Sequence, residues 1–440
     1  MKFNKLYTLV ILAALPQALV AQEAWDLRKC IDYALENNLT IKSSEVAMQQ
    51  GEVELNTARN SRFPDLAASA GQNFSFGRGL SESNTYVNTN TASTSFSLGS
   101  SVNVFNGFRT NRTIKMDALN LEAATADLEK AKDDISVQVT QAYVQILYDI
   151  EILKVAERQV GIDSVQVERL RAMLENGKAS PSELAQQEAA LGQSRLTETQ
   201  ARNSMNLAVL DLAQLLELPS PSGFSVVVPE VPDCQALPGS GPEDIYASAV
   251  AVRPAVKAEK LRLEAADMNI RIAKSSLYPA LTLNGGIGSN FYKSSGYDSA
   301  DFWGQMKNNF SQYVGLSLNI PIFTRFSTRN SIRAATLSRT RQMIQLESVK
   351  KSLYKEIQQA WYNAVASEAK LSSCSDALDS AEKSFELMVA RYENGKASIT
   401  EFNESKNSVM KAQSDLVQAK YEHLFQIKLL DFYGGSQISL

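Results

Sequence analysis

Four stretches of the chain alternate apolar and polar residues at every second position. In TSFSLGSSVNVF, Phe96, Leu98, Val102 and Val104 are separated by Ser95, Ser97, Ser101 and Asn103. YVGLSLNIPIF sets Val314, Leu316, Leu318, Ile320 and Ile322 against Gly315, Ser317 and Asn319, and LTLNGGIGSNF sets Leu281, Leu283 and Ile287 against Thr282, Asn284 and Gly286. LAASAGQNFSF is weaker, with Leu66, Ala68, Ala70, Phe74 and Phe76. Period two with one apolar face predicts strands within 66–77, 93–107, 280–292 and 311–324. Each strand pair is followed by a long segment with no proline and almost no glycine, Arg109–Asn176 and Thr328–Asn394. As single helices these would each be on the order of 100 Å long. Their heptads, Leu153, Val160, Val167, Leu174 and Leu371, Leu378, Phe385, Tyr392, predict coiled-coil packing.

The two halves repeat one plan. ENGKAS occupies 175–180 and again 393–398. ARNSRFPDL at 58–66 matches AKSSLYPAL at 273–281, with Pro64 on Pro279. VFNGFRT at 104–110 matches IFTRFST at 322–328, with Phe105 on Phe323 and Phe108 on Phe326. Half of the twelve prolines fall within 218–242, which reads as a linker. The expected organisation is a leader at 1–21, a first repeat at 22–217, the linker, a second repeat at 243–434 and a tail at 435–440. In each repeat a helix (about 40–62 in the first) precedes the strands. A return helix, about 181–217 in the first repeat, follows the long one.

ENGKAS itself reads as the tip of a helical hairpin. Gly177 and Gly395 suit a left-handed helix end. Ser180-Pro181-Ser182-Glu183 and Ser398-Ile399-Thr400-Glu401 have the form of capping boxes, with Pro181 where a first turn accepts proline. Capping explains the glycine and the serine of the motif and leaves its Asn and Lys unexplained.

Charge then separates water from lipid as the strands' surroundings. The four strand stretches hold no Asp, Glu, Lys or Arg, although these make up 21% of the chain. Aromatics sit toward both ends, Phe63, Phe105, Tyr278 and Phe323 at one and Phe74, Phe76, Phe291 and Tyr292 at the other. A strand from Phe63 to Phe74, tilted as in a barrel, would cross the ~25 Å apolar band of an outer membrane. Four strands do not close a barrel, and unpaired backbone groups in hydrocarbon cost several kcal/mol each. The edges therefore need other copies of the chain: two copies give eight strands and a filled interior, three give twelve and a lumen. Small Ser, Asn, Thr and Gly on the polar face favour the lumen. The segments 77–91 and 293–309 would be loops at its outer mouth.

Composition narrows the remaining classes. MKFNKLYTLVILAALPQALVAQ has the layout of a secretory signal, and its apolar run is too short to cross a bilayer. Removing Lys2 and Lys5 makes the mature chain more acidic than the net charge of −4 of the whole, and no basic stripe points to nucleic acid. Cys30, Cys234 and Cys374 are too few and too far apart for a disulfide framework or a zinc site. The single histidine, His423, leaves no material for a Ser-His-Asp triad and reads as a packing or surface residue. No catalytic residues, metal or cofactor are expected.

As an arrangement, the leader, the duplicated halves, the two strands and long hairpin in each, and the G-x-x-x-[IP]-[ST]-E run after each tip resemble the TolC-type outer-membrane efflux channel family. The resemblance spans about residues 25–434. It implies an α+β membrane protein whose long antiparallel helical hairpins form a periplasmic α-barrel, with four β-strands per chain contributing to a trimeric 12-stranded transmembrane β-barrel. The implied partners are a homotrimer's other copies, outer-membrane lipid, a periplasmic membrane-fusion adaptor, and an inner-membrane pump of the RND type or an ABC exporter. Counting from the tip glycines, the resemblance puts Glu401 and Glu404 on the acidic gate ring, Glu183 on the acidic link position and Tyr392 on its tyrosine partner. It puts Asn176, Gly177, Lys178, Asn394, Gly395 and Lys396 at the adaptor-docking tips. The family's gate arginine position is Ala397 here, with Lys396 or Lys178 as substitutes, and the family's apolar tip signature is replaced by Asn-Gly-Lys. Drug efflux and type I secretion are both compatible with these residues. The rival is a secreted or periplasmic helical-stalk protein, adhesin-like, with a small sandwich head.

Overall fold

The computed structural model describes residues 24–80, 84–221, 223–229, 239, 241–295, 300–436 and 438. The expected leader and, within the expected linker, residues 222, 230–238 (with Cys234) and 240 lie outside them. Within them the chain writes the same series of helices twice: α1 Leu27–Asn37, α2 Leu39–Asn60, α3 Arg109–Glu175 and α4 Pro181–Leu215, then α5 Pro242–Val252, α6 Pro254–Ser275, α8 Ser327–Glu393 and α9 Ile399–Tyr433. Corresponding helices have equal lengths, 11, 22, 67 and 35 residues. A short α7, Phe302–Asn308, has no counterpart.

The strands β1 Ala67–Leu80, β2 Tyr86–Phe105, β3 Ala280–Ser294 and β4 Ser311–Asn319 form one antiparallel sheet in the order β1-β2-β3-β4. Ala68 lies opposite Leu98 in the first hairpin, and their repeat equivalents Leu283 and Leu316 lie opposite each other in the second. The duplication thus extends to hydrogen-bond register. The central joint is between repeats, with Leu98 opposite Ile287. One sheet face collects Ala70, Phe96, Leu98, Ile287, Leu283, Leu316 and Leu318. The other carries Ser69 and Ser97, joined Oγ to Oγ at 2.7 Å, and Asn103 accepting from Thr282 at 3.2 Å. The apolar face is uncovered in the single chain, Val314 being 84% exposed.

Strand lengths depart from the expected ones in both directions. β2 begins at Tyr86, so most of the expected 77–91 loop is hairpin, Leu80 pairing with Tyr86. The TYVNTNT stretch has no apolar alternation to betray a strand; ladder hydrogen bonds alone define it. β4 stops at Asn319, since Pro321 has no N–H to donate to a ladder. The 293–309 segment carries the end of β3 and α7. The sheet joins the long helices through matched turns in which Phe108 and Phe326 adopt left-handed φ of 63° and 62°. Each packs edge-on against an aromatic three residues earlier, Phe105 at 5.5 Å and Phe323 at 5.6 Å. A non-glycine residue in this region costs on the order of 1 kcal/mol, and the aromatic pair offsets it in both copies.

Each long helix is flanked end to end by two shorter ones, as their lengths predict. Along α3, Leu121 lies against Gly51 of α2 near the sheet, and Glu157 meets Arg202 of α4 farther on. The joint between the shorter helices is duplicated too. Asn38, between α1 and α2, donates to the carbonyl of Leu215 at 2.9 Å; Arg253, between α5 and α6, donates to that of Phe432 and stacks 3.8 Å over its ring. The largest core gathers around Tyr143, Leu147, Leu212 and Leu216, where the Tyr143 hydroxyl donates to Val227 O at 2.6 Å. Of the expected heptads only Val167 is buried; the other members are half-buried, and α3 turns Ala156, Gln159, Asp163 and Leu170 inward instead. A straight helix drifts about 20° per heptad, so one strict heptad does not stay on one face for 67 residues. His423 is buried, its Nδ1 lying 3.0 Å from the Ser367 hydroxyl across α8 and α9.

Candidate functional site

The candidate site is the pair of hairpin tips with the helical turns just behind them. Gly177 and Gly395 have φ of +68° and +67°, the left-handed conformation that reverses the chain. Behind each, the amide of the lysine returns to the long helix, Lys178 N to Met173 O and Lys396 N to Arg391 O, both at 2.8 Å. These bonds satisfy carbonyls that a helix end leaves orphaned. Asn176 and Asn394 do the same with their side chains, donating to Ala172 O and Ala390 O at 2.7 Å. The Asn of ENGKAS is therefore a cap residue.

Both capping boxes form. Ser180 Oγ accepts from Glu183 N at 3.2 Å while Glu183 Oε2 accepts from Ser180 N at 2.8 Å. Ser398 Oγ accepts from Glu401 N at 3.2 Å while Glu401 Oε2 accepts from Ser398 N at 2.7 Å. The bonds from the Ser398 amide and hydroxyl hold the Glu401 carboxyl below its ordinary range. Glu401 and Glu404, three apart on α9, are both exposed and share one side of the helix.

The two tips of one chain touch through an aromatic cluster. Phe402 is buried with Ile399 and Leu170; Tyr392 lies 4.9 Å and Phe385 5.5 Å from it, ring to ring. Burial, and then the nearby Glu183 carboxylate, push the Tyr392 hydroxyl above its ordinary pKa. Among the described residues no hydrogen bond joins Glu183 to Tyr392; the Glu183 carboxylate is held by its own cap at Ser180. Lys178 and Lys396 are exposed, and among the described residues neither side chain forms an ion pair. The cations that join the hairpins are others: Arg169 reaches Glu393 at 3.2 Å, and buried Lys406 pairs with buried Asp163. Sequence reasoning missed this second pair, although its signal was present as charges at seam positions on α3 and α9.

The outer membrane efflux protein family model matches residues 30–217 and 245–429. The chain is 23% identical to the outer membrane efflux protein BepC of Brucella suis over 398 residues, covering 88% of this chain and 80% of that protein. It is 22% identical to the outer membrane protein TolC of Escherichia coli over 405 residues, covering 91% and 80%. Among solved structures, a membrane protein from Pseudomonas aeruginosa superposes with a TM-score of 0.78 at 18% identity, covering 93% of this chain and 92% of that one.

Proposed function

The chain belongs to the outer membrane efflux protein family, and from that premise we propose that it is the outer-membrane exit duct of a tripartite efflux or type I secretion system. Three copies would join their sheets into a twelve-stranded barrel and their hairpins into a periplasmic tunnel, with 22–217 and 243–434 as the two repeats. A membrane-fusion adaptor and an inner-membrane RND pump or ABC exporter would complete the path. Cargo is moved by the partners, so the duct needs no catalytic group.

The observation that carries this reading is the sheet. β1 and β4 leave their outer ladders unpaired, and the apolar face is uncovered. In water such edges invite aggregation; in a closed barrel both problems vanish together. A soluble stalk would require charges spread along the exposed strand face, whereas among the described strands only Arg78 and Lys293 are charged, both near the hairpin ends of β1 and β3. The equality of register between the two hairpins also supplies the joint between copies. Transferring the β2–β3 pairing by repeat equivalence sets Val314 of one copy opposite Phe74 of the next, apolar side to apolar side.

At the inner end, three copies would bring Glu401 and Glu404 toward one axis, where like charges attract cations and resist close approach. Glu183 and Tyr392 serve as the link between hairpins, and Asn176, Gly177, Lys178, Asn394, Gly395 and Lys396 as the polar adaptor-docking tips. The test is native mass in detergent combined with single-channel recording. A trimer with discrete conductance is expected; a stable water-soluble monomer overturns the reading.

A further inference from the structure

Lys406 stands where a leucine would be expected. On α9 the buried residues behind the tip are Ile399, Phe402 and Lys406; on α3 they are Asp163, Val167 and Leu170. Spacings of three and four mark a coiled-coil seam, whose positions ordinarily hold apolar knobs. Here both helices place a charge in it. Lys406 is 3% exposed and Asp163 0%.

The Asp163 carboxylate accepts four hydrogen bonds and the Lys406 ammonium donates two. Lys406 Nζ donates to Asp163 Oδ1 and, at 3.0 Å, to Asn403 Oδ1. Gln187 Nε2 donates to Asp163 Oδ1 at 3.1 Å, Gln159 Nε2 to Oδ2 at 3.0 Å, and the Ser194 hydroxyl to Oδ2. Asn403 Nδ2 closes the circuit on Gln187 Oε1 at 3.1 Å. Three members come from the first hairpin's α3 and α4 beyond Asp163 itself, and two from the second hairpin's α9. Burial pushes the Asp163 carboxyl upward, and the bonds from Lys406, Ser194 and Gln159 more than reverse this, leaving it below its ordinary value.

Such a network adds little net stability over an apolar layer of the same volume, because desolvating each ion costs several kcal/mol. It does supply something apolar layers lack. Leucine layers accept a slide of one heptad, about 10 Å, with new knobs in old holes. The same slide would strand Lys406 and Asp163 as separate buried charges. We infer that the Asp163–Lys406 pair is a register pin. It fixes the axial position of α9 against α3 and α4, about 20 Å behind the tips, so that the two ENGKAS turns stand at matching height. The inference concerns contacts within one chain and does not rest on the duct reading.

The test measures register directly. In the full chain with its three cysteines replaced by Ala, Arg169→Cys is combined with Glu393→Cys, the in-register partner, or with Glu386→Cys, one heptad away. A short bis-maleimide should link the first combination about ten-fold more than the second, as an intrachain product on denaturing gels. In the Asp163→Leu/Lys406→Leu background the hairpins should still assemble, but the preference should fall to about two-fold or less. The reversed pair, Asp163→Lys/Lys406→Asp, should restore it. Full preference in the double-leucine chain would overturn the proposal, as would its loss in a reversed-pair chain whose helices are intact by circular dichroism.

Discussion

The guanidinium of Arg169 on the first hairpin lies 3.2 Å from the carboxylate of Glu393 on the second, and both side chains are about half exposed. An exposed pair of this kind contributes about 0–1 kcal/mol. The neighbouring Phe402 is buried among Tyr392, Phe385, Leu170 and Ile399. Truncating a buried phenylalanine costs about 3–5 kcal/mol. Phe402→Ala should therefore loosen the contact between tips and open it to limited proteolysis, whereas Arg169→Ala should leave the digestion pattern nearly unchanged. Equal protection in the two variants would remove the aromatic cluster as the main contact.

Gly177→Ala and Gly395→Ala meet no atom within 4 Å, so their effect is backbone strain alone. Each should cost on the order of 1 kcal/mol, seen as faster amide exchange of Lys178 and Lys396, with exchange in the Tyr143 core unaltered.

Glu401 has a capping role that Glu404 lacks, and the substitution must separate charge from cap. Glutamine at N3 keeps a capping box. Glu401→Gln/Glu404→Gln should lower cation preference in planar-bilayer recordings while the trimer persists in detergent. Unchanged selectivity would take both residues out of the conducting path.

Asp163 has a folded pKa below its ordinary value of 3.8, so its stabilising contribution is complete above that value and is lost as pH falls through the folded one. Pepsin cleavage near the tips should rise as the pH is taken below 3.8 in the parent chain. In Asp163→Asn/Lys406→Gln the rise should be shallower, since that carboxyl no longer titrates. Identical profiles would place the acid sensitivity elsewhere.

The joint between copies is checked by disulfide trapping. Val314→Cys with Phe74→Cys should give interchain dimers and trimers under mild oxidation, and Val314→Cys with Phe76→Cys, shifted by two residues, should give few. The opposite preference, in a chain that is still trimeric by native mass, would refute the register and leave the assembly standing.

Most of the architecture was legible because proline, glycine and serine act locally. Pro64, Pro279 and the paired ENGKAS turns mark helix ends through the backbone of their own neighbourhood, and the alternation in β3 and β4 needs only the chain's own side chains. The extension of β2 to Tyr86 escaped because its residues beyond the apolar band, YVNTNT, show no apolar alternation, and only the facing strand defines them. The Asp163–Lys406 pair escaped for a related reason. The seam spacing of Asp163 and Lys406 was visible, but nothing near Asp163 in sequence picks out a partner 243 residues away, and a charge between the heptad positions Val160 and Val167 reads as solvated. The capping role of Asn176 required the geometry of the last helical turn. The Arg253 and Asn38 joints chemically differ, and so hid a shared task.

The middle seam of the sheet joins β2 to β3, with Thr89 bonded to Ser294 205 residues later in the chain. During synthesis and export the first hairpin therefore emerges long before the strand that must lie beside it. Contacts this remote form slowly, since the intervening chain must be ordered first. Throughout that delay an apolar ribbon with two open sides travels through water. The molecule's most vulnerable moment comes before its last third has been made.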